Sequence, residues 1–286
     1  MRIQSALPLL TVATLLITGT PAYAASGITT GQAHQVEKYV SLGDSAAAGP
    51  IIVPQQAGQP LPCLRTERNF PTLVADAVDA SAHVDVTCSS AEIDHLREAQ
   101  YDAPPQLDAL TADTTLVTLG PIGANDAGLV TSVLGCLVPG CATRDGSKVH
   151  DAIEATRPEL QAALKEIKRR APRAELVVVG YGEYLPKGGC PLVQPLTRQD
   201  ADYVRGLTHH MSNVLREVAD EAGAAFTDLR TIPGAADHTA CAPAGQRWLE
   251  GLIPVSLDGA VPFHPTALGM DAFADAVGET VLSRAR

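Results

Sequence analysis

Five short apolar runs, rich in β-branched residues and separated by longer helical patterns, constrain this chain more than anything else in it. The runs fall at 38–42, 83–87, 114–119, 174–179 and 224–228. Their apolarity is continuous rather than alternating, so each reads as a strand covered on both faces, as in a parallel sheet. Parallel neighbours need long crossovers, and the intervening segments have helical spacing to supply them. The first, 70–78, follows Asn69 as a cap and carries Pro71 just inside its start. Stretches 149–170 and 200–222 read as further helices, and Gly223 stops the second. The fold class that follows is α/β: a single-domain three-layer sandwich, a five-stranded parallel sheet with helices on both faces. Sheets of this kind gather their chemistry at the carboxyl ends of the strands.

Three short segments at such ends carry chemically useful residues. Tyr39-Val40-Ser41-Leu42-Gly43-Asp44-Ser45 closes the first run, with Gly49 behind it. Gly123-Ala124-Asn125-Asp126 follows the third, and Phe263-His264-Pro265-Thr266-Ala267-Leu268-Gly269 lies near the end of the chain. A serine hydroxyl there becomes a nucleophile if a histidine folds back to take its proton. Among eight histidines only His264 has a context of this kind, a loop followed by a helix-starting stretch. An asparagine amide can be aimed at a developing oxyanion. The Gly-x-Ser-x-Gly elbow of α/β-hydrolases is absent from the chain.

Together these blocks resemble the SGNH (GDSL) hydrolases, specifically their secreted actinobacterial esterase and lipase branch. The resemblance spans almost all of 38–278 and implies a flavodoxin-like SGNH fold. It implies a carboxylic ester hydrolase with Ser45 as nucleophile and His264 as general base. The oxyanion hole it implies is built from the Ser45 N–H, the Ser90 N–H and the Asn125 amide. Two departures stand out. Cys88-Ser89-Ser90-Ala91 puts Ser90 where the family has glycine, a change that keeps the N–H but restricts the backbone. Val261 stands where many members carry the acid that orients the histidine. Either the Val261 carbonyl or the Asp258 carboxylate then orients His264, and Pro262 behind the carbonyl favours Val261. Such departures are also what a catalytically degenerate SGNH domain, kept as a secreted binding module, would display. The segment Pro105-Gln106-Leu107-Asp108-Ala109-Leu110 is a further likeness to the secreted branch.

The start of the chain reads as a secretory signal: Arg2, an apolar stretch over 9–17, and Ala22-Tyr23-Ala24 as a small-x-small cleavage site. The expected organisation is therefore a signal peptide at 1–24, an N-terminal extension at 25–37 and the hydrolase domain at 38–286. Six cysteines suit an oxidising compartment. Spacing alone does not choose their pairing; the family resemblance implies pairing in order, Cys63–Cys88, Cys136–Cys141 and Cys190–Cys241. No Cys-x-x-Cys or metal-spaced cluster appears, so the expected site holds no metal and uses no cofactor. A net charge of −11 repels nucleic acid and anionic membranes. The expected partner is a small-molecule or lipid ester, met by a secreted monomer without stable membrane insertion. Gly/Pro-rich stretches at 182–198 and 230–257 are expected to wall the substrate cleft.

Overall fold

The computed structural model describes residues 36–255 and 261–284. The expected signal peptide, most of the 25–37 extension and Asp258 lie outside the described residues. Five strands form one sheet: β1 (Tyr39–Leu42), β2 (His83–Asp85), β3 (Leu116–Leu119), β4 (Glu175–Val179) and β5 (Ala225–Thr227). Their order is β2-β1-β3-β4-β5 and every pairing is parallel. β1 and β3 are buried along their whole length, and β4 is buried except at its first residue. That pattern explains their unbroken apolarity: no position faces water.

Helices cover both faces. On one, α2 (Phe70–Ala77) packs against α8 (Ala267–Arg284); on the other, α5 (Lys148–Ala155) and α6 (Arg157–Arg170) pack against α7 (Arg198–Ala222). The Asn69 side chain caps α2 by accepting from Thr72 N, with Pro71 in the first turn. Gly223 closes α7 at φ +63°, in the left-handed region that glycine enters freely.

The single helix expected over 149–170 is two. α5 stops at Ala155, Thr156 links them, and α6 begins at Arg157. Pro158 lacks the N–H that would have bonded the Glu154 carbonyl, and its ring crowds that carbonyl. Thr156 closes the break by donating its hydroxyl to Ile153 O. Two short helices went unread in the sequence, α3 (Leu129–Gly135) and α4 (Cys141–Asp145); a third, α1 (Ser45–Ala48), is the turn that carries Ser45.

Three disulfides join Cys63–Cys88, Cys136–Cys141 and Cys190–Cys241. The last ties the loop after β4 to the loop after β5. Among the described residues no helix is long and apolar enough to cross a membrane, and no group of three or more His, Cys, Asp or Glu side chains is placed to hold a metal ion.

Candidate active site

Ser45 opens α1 directly behind β1, at the carboxyl edge of the sheet. The turn that presents it is held from several sides. Gln106 clamps Gly43, accepting from its N–H at 2.9 Å and donating to its carbonyl at 3.0 Å. Asp44 N donates to Pro121 O at 2.9 Å, joining the turn to the loop after β3. Gly49 ends the four-residue helix at φ +70°, and a Cβ there would meet Thr66 at 2.7 Å. Only glycine fits that exit.

Asp44 is buried beneath Ser45. One carboxylate oxygen caps α1 by accepting from Ala46 N at 2.8 Å; the other accepts from the Tyr181 hydroxyl at 2.6 Å. Desolvation raises its pKa to about 7, against those two hydrogen bonds. The Tyr181 hydroxyl also accepts from Ala124 N at 3.1 Å. One phenol from the end of β4 therefore fastens the Ser45 turn to the residue before Asn125.

His264 arrives on the loop before α8. Its Nε2 lies 2.8 Å from Ser45 Oγ and its Nδ1 lies 2.8 Å from the Pro262 carbonyl. The expectation that Val261 supplies the orienting carbonyl is wrong by one residue. His264 N donates to Val261 O at 3.2 Å, so that carbonyl closes the turn 261–264. Pro262 occupies its second position and Phe263, at φ +57°, its third, the requirements of a type II turn. In such a turn the central carbonyl points out of the ring, free for the imidazole. A carbonyl only accepts, so Nδ1 carries the proton and Nε2 presents its lone pair to Ser45. Burial lowers the His264 pKa below 6.5, opposed by the Pro262 hydrogen bond.

Backbone pairing seats this turn. Glu250 N donates to His264 O, Phe263 N to Gly251 O and Thr266 N to Trp248 O. The described part of the 230–257 stretch thus braces His264 from behind instead of walling the pocket. The 182–198 stretch does contribute wall, through Tyr184, whose ring stacks on Phe263 at 5.1 Å. With Leu129, Val130 and Thr208 these rings line a small, mostly apolar pocket containing Ser45, Asn125 and His264.

Asn125 donates from Nδ2 to Ala91 O at 2.8 Å, which spends one of its two amide protons and leaves the other. Asp126 accepts from Ile93 N at 2.9 Å, so the loops after β2 and β3 are laced together. Ser90 sits in the turn closed by Ala91 N to Cys88 O, at φ +63°. It has the left-handed backbone expected of the family's glycine. No protein acceptor takes the N–H of Ser45 or of Ser90 among the described residues. Tyr181 is the residue that the sequence reading did not name; Asp44, Gln106 and Pro262 were quoted there without the contacts they make here. The only available signal was position: Tyr181 stands two residues beyond β4, at a strand's carboxyl end.

The profile of the GDSL-like lipase/acylhydrolase family matches residues 41–272. Lipase 2 of Streptomyces coelicolor is 37% identical over 253 residues, which is 83% of this chain and 83% of that protein. A lipase of Streptomyces rimosus is 29% identical over 264 residues, 91% of this chain and 92% of the relative. Among solved structures, phospholipase A1 of Streptomyces albidoflavus NA297 superposes with a TM-score of 0.73 at 25% identity, covering 86% of this chain and 99% of the other. The extracellular lipase of Streptomyces rimosus gives 0.73 at 26% identity, covering 85% and 99%.

Proposed function

This chain belongs to the GDSL-like lipase/acylhydrolase family and is a carboxylic ester hydrolase; from that premise we propose a secreted serine esterase or lipase that works through an acyl-enzyme on Ser45. The observation that carries the proposal is the 2.8 Å contact between His264 Nε2 and Ser45 Oγ, with Nδ1 committed to Pro262 O. Histidine in that tautomer takes the Ser45 proton as Oγ bonds to the ester carbonyl carbon. The negative charge moves to the carbonyl oxygen, toward the Ser45 N–H, the Ser90 N–H and the free Asn125 amide proton. His264 then protonates the leaving alcohol. Water repeats the sequence on the acyl-enzyme, releasing the acid and returning the proton to Ser45. Leu129, Val130, Tyr184 and Phe263 offer the acyl group an apolar wall. The chemistry runs on the chain's own groups, without metal or organic cofactor, and within one copy of the chain.

Export is supported by the Arg2-to-Ala24 signal pattern and by the three disulfides. The degenerate binding-module alternative has less in its favour, since a domain released from catalysis has no need to keep serine and imidazole in hydrogen-bond contact. A fluorophosphonate probe tests the reading. It should label the native protein at Ser45, and Ser45→Ala should lose both labelling and p-nitrophenyl ester turnover. Turnover persisting in Ser45→Ala at more than about a hundredth of the parent's would remove Ser45 as nucleophile, since the loss expected for a nucleophile is on the order of 10⁶.

A further inference from the structure

The loops at the carboxyl edge of the sheet, the edge that carries Ser45, expose several large aliphatic side chains. Leu192, Leu61 and Val138 are 102%, 81% and 65% exposed, and Ile51, Val53 and Ile253 are exposed in the same set of loops. Several polar side chains of the same loops lie inside, although Lys187 and Asp237 remain exposed. Arg247 and Glu250 are 3% and 0% exposed and pair at 3.0 Å. Arg65, next to Leu64, is buried and donates to Thr87 O. Gln194, two residues from Leu192, is buried and bonds the backbone of Ile253 on both sides. Single exposed aliphatics are ordinary; the informative departure is that polar side chains are buried in the loops that expose them.

The sequence carries the same signal independently. In a chain whose residues are 19% charged, the stretches 45–64, 127–143 and 188–197 contain no Asp, Glu, Lys or Arg. They follow β1, β3 and β4, so the sheet topology sets all three at its carboxyl edge, where Ser45 and His264 meet. The strand order puts the β1 stretch on one side of the β3 stretch and the β4 and β5 loops on the other. The segments are also tied to one another. Cys190–Cys241 and Gln194 join the β4 and β5 loops. Asp200, at the start of α7, accepts from Gly140 N and Ala142 N, which fixes Val138 close to the end of 188–197. Ile51 holds a left-handed backbone, φ +67°, which a β-branched residue adopts only under strain, with its side chain outward. The loop after β2, by contrast, is charged from Glu92 to Asp102.

We propose that this uncharged apolar rim is a docking surface for a neutral or zwitterionic lipid–water interface, from which the pocket draws its ester. The inference rests on the ester-hydrolase reading above and names the physical form of the substrate it meets. Charge selects the occupant: a chain at −11 is repelled by an anionic leaflet, whereas a rim without charges costs little desolvation against zwitterionic headgroups. The contact is peripheral, with side chains reaching into the interface and no helix crossing it.

The experiment has two arms. Binding is measured by co-sedimentation with phosphatidylcholine vesicles, using Ser45→Ala to keep the lipid intact. Turnover is measured on monomeric p-nitrophenyl acetate in the Ser45-containing protein. A buried aliphatic side chain is worth roughly tenfold in partition. The variant Val138→Glu/Leu192→Glu should therefore bind at least ten times more weakly, with soluble-ester kcat/KM within twofold of the parent. Leu192→Ser alone, at a fully exposed position that cannot disturb the fold, should lower binding severalfold. Phosphatidylglycerol vesicles should bind less than phosphatidylcholine. A parent that stays in the supernatant, a double variant that binds like the parent, or stronger binding to phosphatidylglycerol would overturn the proposal. So would a dimer in sedimentation equilibrium that dissociates in the double variant, because the rim would then belong to a second copy. Failure of the catalytic reading shows elsewhere, as soluble-ester turnover surviving in Ser45→Ala.

Discussion

Ser90→Gly should stabilise the protein and leave its chemistry intact. Ser90 holds φ +63° in an exposed turn, where a residue with a Cβ pays roughly 1–2 kcal/mol. Glycine removes that cost but gives the unfolded chain more freedom, an offset of about 0.4–1 kcal/mol. The net gain is about 0–1.6 kcal/mol with a midpoint of about 0.8, which for a domain near this size is a rise of roughly 2–3 °C in Tm at the midpoint. The turn itself should not loosen. Cys88 is disulfide-bonded to Cys63, Ser89 N donates to Cys63 O, Gln100 donates to Ser89 O, and Asn125 donates to Ala91 O. The residue-90 N–H thus keeps its place with either side chain. Calorimetry and a p-nitrophenyl ester assay test both halves. A Tm that falls would refute the strain argument, and a kcat/KM reduced more than threefold with the fold intact would show that the Ser90 hydroxyl, not only its N–H, takes part.

The pH profile should follow His264. Its pKa lies below 6.5 in the folded protein and only the neutral ring can accept the Ser45 proton, so kcat/KM should hold down to pH 6.5 and fall below it; an acid limb centred above pH 7 would contradict the buried-imidazole description. Asp258→Asn should keep kcat within a few-fold, because the Nδ1 proton already has the Pro262 carbonyl; a loss of about 10⁴, the cost when a triad carboxylate is neutralised, would mean that carboxylate is the true partner. Removing the 51-residue link with Cys190→Ser/Cys241→Ser should cost about 4 kcal/mol by loop entropy, read as a lowered urea midpoint, and an unchanged midpoint would show the loops ordered without it.

All five runs are strands, and the central three were legible because burial on both faces leaves β1, β3 and β4 largely apolar; the edge strand β2, His83-Val84-Asp85, is half-buried throughout, so that argument does not hold for it. The break at Thr156 was hidden by charge patterning that continues smoothly across it; only the missing N–H of Pro158 records it. Ser45, Asn125 and His264 were legible from residue type at strand ends, but the acceptor for His264 was not. Which of two adjacent carbonyls faces the ring depends on the sign of φ at Phe263, and phenylalanine gives no hint of a left-handed backbone. Tyr181 was invisible for another reason. Its partners, Asp44 and Ala124, are joined to it only by the strand order, a property of the whole chain rather than of any window of it.

In the proposed mechanism the Pro262 carbonyl takes the place of a triad carboxylate, which has a consequence beyond orientation. A carboxylate stabilises imidazolium and so raises the pKa of the base; a carbonyl fixes the tautomer and adds only a dipole. With burial acting in the same sense, His264 stays neutral, and therefore competent, at lower pH than a triad histidine would. The cost falls on the transition state, where the imidazolium has less charge opposite it, and the compensation available is rigidity. Asp44, Tyr181 and Ala124 form one buried chain of hydrogen bonds from the Ser45 turn to the Asn125 loop, and Ala91 continues it to the Ser90 turn. Donors held in place before reaction do not have to be ordered during it. The Ser45 turn and the proposed oxyanion donors are therefore fixed by one network, while His264, the proposed base, is fixed separately by its own type II turn. This division predicts that damage to Tyr181 disturbs oxyanion stabilisation while leaving the His264–Ser45 contact in place.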